Sequence, residues 1–156
     1  MELKSYAKIN LGLHVHKKRK DGFHNLTTIF QEINLFDTIN IREAKNFSCS
    51  TNLSSIKEKE NFGTIAYTLI KEKFPDIPNV EILISKNIPL NAGLGGGSSN
   101  GAAVIKGVNT LFNLSLSNKE MLELASQVSS DSSFFINGGT QLGTKRGEVL
   151  KKISKP

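Results

Sequence analysis

The chain has 156 residues, 38% of them hydrophobic, with 13 Gly and 4 Pro, so it can bury a sizeable core and fold as one domain. Its 20 Lys and Arg against 14 Asp and Glu leave a net charge of +6, which favours an anionic partner without choosing among a nucleotide, a nucleic acid and an acidic surface. Cys49 is the one cysteine and only His14, His16 and His24 accompany it, which excludes an intrachain disulfide and a Cys/His metal cluster.

No run approaches the roughly 20 apolar residues that cross a bilayer, and the first residues alternate polar and apolar, unlike a signal peptide. The expectation is a cytoplasmic protein with no membrane partner. In chain order, Leu3, Ser5, Ala7, Ile9, Leu11, Leu13 and Val15 give a mostly apolar period of two, predicting a half-buried strand over residues 3–15. The opposite face carries Tyr6, Lys8, Asn10, Gly12 and His14, and its hydrogen-bonding capacity points to a chemical role. The basic run at residues 17–20 leads into Asp21-Gly22, a tight-turn signal that predicts a hairpin to a second strand at 27–35, with a further strand at 38–43 and a polar segment up to residue 59.

Phe62, Ile65, Ala66, Leu69 and Ile70 form the apolar stripe of a helix that Pro75 and Pro78 stop. Val80, Ile82 and Ile84 alternate in a strand. After a glycine-rich stretch, Ala103, Val104, Gly107, Val108, Leu111 and Phe112 keep helical spacing, and Ser117 with Glu120 forms a capping box before another helix. Residues 134–136 and 140–144, separated by Gly138-Gly139, read as closing strands or a hairpin. The expected fold class is α+β, a mixed sheet packed with helices.

Gly93, Gly95, Gly96 and Gly97 lie between a strand and a helix whose first turn carries Ser98 and Ser99. Glycines let backbone amides turn inward and approach a ligand, and the helix adds free N–H groups and its positive end, so the stretch reads as a cradle for a polyphosphate. It is not a P-loop, which needs G-x-x-x-x-G-K-[ST], because no lysine follows until Lys106. It is not a dinucleotide fingerprint either, since residue 98 is serine.

The segment PLNAGLGGGSSNGAA, residues 89–103, resembles the P-x-x-x-G-L-G-[GS]-[GS]-S-[AS] loop of the GHMP kinases. Ala7-Lys8-Ile9-Asn10-Leu11, Asp21-Gly22-Phe23-His24 and Gly138-Gly139-Thr140 with Gly147-Glu148 are similar, in order, to motifs of one branch of that family. That branch phosphorylates the 2-hydroxyl of a cytidine diphosphate derivative with ATP and Mg²⁺ on the non-mevalonate route to isoprenoid precursors. The resemblance implies the GHMP N-terminal fold (the ribosomal protein S5 domain 2-like type) and an ATP-dependent small-molecule kinase. It implies Lys8 and Asp131 as catalytic residues and Asn10, Phe23 and His24 on the substrate side. Asn61, Lys86, Pro89, Gly93, Leu94, Gly95, Gly96, Gly97, Ser98 and Ser99 would bind the nucleotide.

The chain departs from the family around its aspartate. Where the pattern is G-[AS]-D-[VI]-P-F-F, this chain has Ser129-Ser130-Asp131-Ser132-Ser133-Phe134-Phe135, and losing the glycine and proline predicts a less constrained backbone there. Gly101 replaces a typical alanine, at a cost of roughly 1 kcal/mol in helix propensity. The resemblance also implies that residues 1–156 correspond to the N-terminal ATP-binding domain with the C-terminal GHMP domain absent, an incomplete kinase served by a separate C-terminal half or a homo-oligomer. The alternatives are another GHMP small-molecule kinase, such as a mevalonate or homoserine type, and a non-catalytic remnant that binds a nucleotide or partner. Nucleic-acid binding is disfavoured, because the basic run lacks interleaved aromatics to stack bases.

Overall fold

Strand β2 (His24–Glu43) is the centre of the fold in the computed structural model, which describes residues 1–18, 22, 24–145 and 149–153. Strand β1 (Glu2–Lys18) pairs antiparallel along one edge of β2. The other edge is shared: β4 (Val80–Ser85) pairs antiparallel with residues 38–43, and β5 (Thr140–Lys145) with residues 26–31. Strand β3 (Ser48–Thr51) adds parallel to β4, and β6 (Val149–Lys152) antiparallel to β5. This is the expected mixed sheet, six-stranded among the described residues, which leave residues 32–37 of β2 without a ladder partner on the shared edge.

Among the described residues four α-helices pack with the sheet, α1 (Phe62–Lys73), α2 (Gly96–Leu111), α3 (Asn118–Val128) and α4 (Ser132–Asn137). Helix α2 is buried over most of its length, and its apolar residues join Ile39, Ile41, Ile82 and Ile84 of the sheet in one core. It lies close to the sheet: a Cβ on Gly107 would come within 2.6 Å of Leu3 Cδ1 and 2.7 Å of Ile41 Cδ1. Gly101 has a similar use. A Cβ there would meet Val128 Cγ1 at 2.8 Å and the Phe62 carbonyl at 3.2 Å, so the glycine that weakens helix propensity lets α2 approach α1 and α3.

Several expectations are corrected. The strands expected at 27–35 and 38–43 are one strand, because Asp37 turns inward to buried partners and a register shift opposite Tyr6 and Ala7 absorbs Asn34 and Leu35. Residues 134–136 are helical, within α4. Phe134, Phe135 and Ile136 are all buried, and a short apolar run does not reveal its own period. The following strand that pairs antiparallel with β5 is β6 instead. The polar segment before residue 59 contributes β3, and a 3-10 turn follows at Glu58–Glu60. The odd face of β1 is buried only at its start: beyond Asn10 a second register shift at Gly12, whose φ is +89°, leaves Leu11, Leu13 and Val15 about half exposed. The Asp21-Gly22 turn falls largely outside the described residues.

The capping box forms as expected. Glu120 N donates to Ser117 Oγ and Ser117 N donates to Glu120 Oε2, while Lys73 at the end of α1 donates to the other carboxylate oxygen at 2.7 Å. These bonds, the lysine's first, push the Glu120 pKa down to about 2 from 4.5. A depressed folded pKa contributes stability above the unfolded value, which is lost as pH falls through the folded one. Thermal unfolding of wild type and Glu120→Gln should therefore differ most at neutral pH, and the difference should shrink between about pH 4.5 and about pH 2. A constant difference across that range would contradict the assignment.

Candidate active site

An aspartate in an apolar stripe anchors the site. Ile33, Leu35, Asp37, Ile39 and Ile41 recur at every second residue of β2, and Asp37 is fully buried. Its Oδ1 accepts from the backbone N–H groups of Asn87 (2.7 Å) and Ile88 (2.8 Å), just after β4, and its Oδ2 from Lys86 Nζ and from Asn100 Nδ2 (2.9 Å) on α2. A buried carboxylate is tolerated only when paired and hydrogen-bonded in this way. The network continues: Asn100 also donates to Ser5 Oγ (3.0 Å), and Ser5 donates to Ser99 Oγ (2.8 Å). Asp37 thus ties β1, β2, the start of the glycine loop and the first turns of α2 into one unit.

Between those anchored ends the loop needs left-handed backbone. Asn91, Gly93 and Gly95 have φ of 56°, 73° and 70°, and α2 begins at Gly96 directly after Gly95. Glycine at 95 is demanded twice, by its φ and because a Cβ would lie 2.7 Å from Phe135 Cζ. The loop bounds a pocket of about 390 Å³ lined by residues 89–98, Asn61, Phe62, Lys86 and Asn100, together with Thr51, Ser55, Ile56 and Glu60. The N–H groups of the first turn of α2 have no intrahelical acceptor and the helix presents its positive end there, as an anion requires.

Beside the loop, Lys8 N donates to Leu94 O at 3.0 Å, which fixes β1 against the cradle. The Lys8 ammonium is buried, lies 3.4 Å from Asp131 Oδ2 and donates to Asn10 Oδ1 at 2.7 Å. Asn10 is oriented in turn by Thr28, since its Nδ2 donates to Thr28 Oγ1 (3.0 Å), whose own proton goes to Gly12 O (2.9 Å). Asp131 begins α4 without capping it, so its carboxylate, about one-third exposed, remains directed at Lys8. Lys106 from α2 donates to Phe135 O at 2.9 Å and holds α4 in place. Burial lowers the Lys106 pKa, opposed by the nearby Glu32 carboxylate.

The residues singled out in the sequence fall into two adjoining groups. Lys8, Asn10 and Asp131 meet at the middle of β1, and Asn61, Lys86, Pro89, Gly93, Leu94, Gly95, Gly96, Gly97 and Ser98 line the pocket. Asn61 also caps α1, its Oδ1 accepting from Gly63 N at 2.8 Å. Lys86 does not reach free into the pocket, because its ammonium is bound to Asp37 and Asn100. Ser99 faces β1, away from the pocket lining. Phe23, the His24 side chain and Gly147-Glu148 lie outside the described residues. The sequence reading missed Asp37, Asn100, Ser5, Thr28 and Ser129; the aspartate interrupting an apolar period of two was the available signal for the first. Cys49 is buried and burial raises its pKa to about 11, so it offers no thiolate at neutral pH.

A strand-fed glycine loop, a helix N-terminus and a lysine–aspartate pair beside the loop therefore adjoin in one site. The GHMP kinases N terminal domain matches residues 61–139, half of the chain, and the chain belongs to the GHMP kinase family. Within that family it is 44% identical to the 4-diphosphocytidyl-2-C-methyl-D-erythritol kinases of Caldicellulosiruptor bescii, over 100% of this chain and 56% of that protein, and of Caldicellulosiruptor saccharolyticus, over 98% and 54%. The crystal structure of a 4-(cytidine 5'-diphospho)-2C-methyl-D-erythritol kinase superimposes with a TM-score of 0.86 at 33% identity, covering 100% of this chain and 56% of that one. The chain therefore spans about half the length of the curated relatives it matches.

Replacing Asp37 by alanine would strand the Lys86 ammonium and two backbone N–H groups in the interior. Loss of one partner of a buried pair costs about 3–5 kcal/mol, so Asp37→Ala should lower unfolding stability by that order in a urea titration. A loss comparable to that of an exposed substitution would contradict the anchoring role.

Proposed function

We infer that the chain is the N-terminal, ATP-binding half of a kinase that phosphorylates the 2-hydroxyl of 4-diphosphocytidyl-2-C-methyl-D-erythritol, in the cytoplasm, as a step of isoprenoid precursor synthesis. The observation that carries this reading is the Lys8–Asp131 pair, 3.4 Å apart, beside the glycine loop, to which Lys8 N is bonded at Leu94 O. The identity to kinases of that name supports the choice of substrate. A C-terminal half, on a longer chain or as a separate polypeptide, would close the substrate side.

In this reading the loop amides and the N-terminus of α2 hold the phosphates of ATP, Asn61 and Lys86 stand near the nucleoside, and Phe23 and His24 hold the cytosine. Phosphoryl transfer asks for alignment and charge stabilisation more than covalent help. Asp131 takes the proton of the acceptor hydroxyl, while the Lys8 ammonium favours the developing alkoxide. Asn10, fixed by Thr28, holds the ammonium between itself and Asp131. Among the described residues no group of three or more His, Cys, Asp or Glu forms a metal cage. The donors beside the loop are hard oxygens, Asp131 and the Ser98 hydroxyl, which suits Mg²⁺ carried mainly by phosphate oxygens. Bound there, the ion would neutralise charge on the transferring group.

Titration calorimetry with Mg-ATP and then with 4-diphosphocytidyl-2-C-methyl-D-erythritol tests the reading. A valine at position 96 would press on Ile88 Cγ2, 3.0 Å from the Cβ position, and on Lys86 Nζ, 3.1 Å away. Wild type should bind Mg-ATP and Gly96→Val should bind at least about tenfold more weakly, since each 1.4 kcal/mol is a factor of ten. Absence of nucleotide binding by wild type would contradict the assignment of the pocket.

A further inference from the structure

The serines around Asp131 form a hydrogen-bonded turn that reaches the glycine loop. Ser132 N donates to Ser129 O at 3.2 Å, closing residues 129–132, and Asp131 in the turn has φ −88° and ψ −16°, the third position of a type I turn. The side chains close it again. Ser129 Oγ donates to Ser98 Oγ at 2.8 Å, and the Ser129 and Ser132 hydroxyls are 2.6 Å apart.

A hydroxyl has one proton and two lone pairs. Since Ser129 gives its proton to Ser98, the proton between Ser129 and Ser132 comes from Ser132. The order is then Ser132 to Ser129 to Ser98, and each donor polarises the next. Ser98 lies in the first turn of α2 and lines the pocket, and among the described residues its hydroxyl donates to no protein acceptor. With the lone pair on the Ser129 side occupied, its proton remains available to an acceptor in the pocket.

We propose that Ser129 is a positioning residue of the nucleotide site, which presets the Ser98 hydroxyl as a donor to a phosphate oxygen and ties the turn carrying Asp131 to the phosphate-binding helix. The proposal rests on the nucleotide reading of the pocket. It names a residue that touches neither phosphate nor acceptor and acts only through Ser98.

The test is a double-mutant cycle on Mg-ATP affinity, read by calorimetry on the chain with folding followed by circular dichroism. Ser129→Ala should weaken Mg-ATP binding roughly threefold to tenfold, the scale of one neutral hydrogen bond. Ser129→Thr, which keeps the hydroxyl on an extended backbone of φ −167° and ψ 164°, should restore it. In a Ser98→Ala background Ser129→Ala should cost nothing further. Ser129→Gly, which removes the same hydroxyl, gives the same contrast should Ser129→Ala not fold. Equal affinity of wild type and Ser129→Ala overturns the proposal and leaves the nucleotide reading intact, and so does an undiminished loss in the Ser98→Ala background, which marks a general structural role. No Mg-ATP binding by wild type overturns the nucleotide reading and the proposal together.

Discussion

A single buried carboxylate decides where the loop can go. Asp37 has donors from two backbone amides, one ammonium and one side-chain amide, and these come from the segment after β4 and from α2. Sequence separations of 49 to 63 residues are closed at one point. The carboxylate lies at the end of the interval of β2 that pairs with neither β4 nor β5, and there its side chain satisfies the backbone N–H groups of Asn87 and Ile88. With both ends of the loop fixed, glycines at 93 and 95 can take left-handed angles without giving up a defined cradle.

The same constraint organises the chemistry beside the loop. β1 is joined to α2 through Ser5 and Ser99 and to the loop through the Lys8 amide and Leu94 carbonyl, which brings the Lys8 side chain beside Gly95 of the loop. Helix α4 also meets the loop, with Phe135 packed on Gly95 and Asp131 turned to Lys8. Lysine, aspartate and cradle are thus held by the core and by buried polar contacts, the arrangement preorganised charge stabilisation requires.

Legibility in the sequence followed the range of the interactions. α1, α3 and β4 follow from local period and capping, and the glycine loop from composition. The continuity of β2 was hidden because Asp37 reads locally as a turn residue and its partners lie at 86–88 and 100. α4 was hidden because three successive buried apolar residues carry no period. Asp131 was accessible only through family resemblance, and the loss of its glycine and proline predicted a slack frame. The chain instead has hydroxyls at 129 and 132 that cross-link the turn, a contact that no reading of spacing reveals.

The most direct measurement is an amide-resolved NMR titration of the chain with Mg-ATP. The account predicts the largest shifts at the amides of Gly95, Gly96, Gly97 and Ser98, with the Asn87 and Ile88 amides little moved because Asp37 already holds them. Shifts centred away from the loop, or large movements of the Asn87 and Ile88 amides, would contradict a phosphate cradle anchored on Asp37.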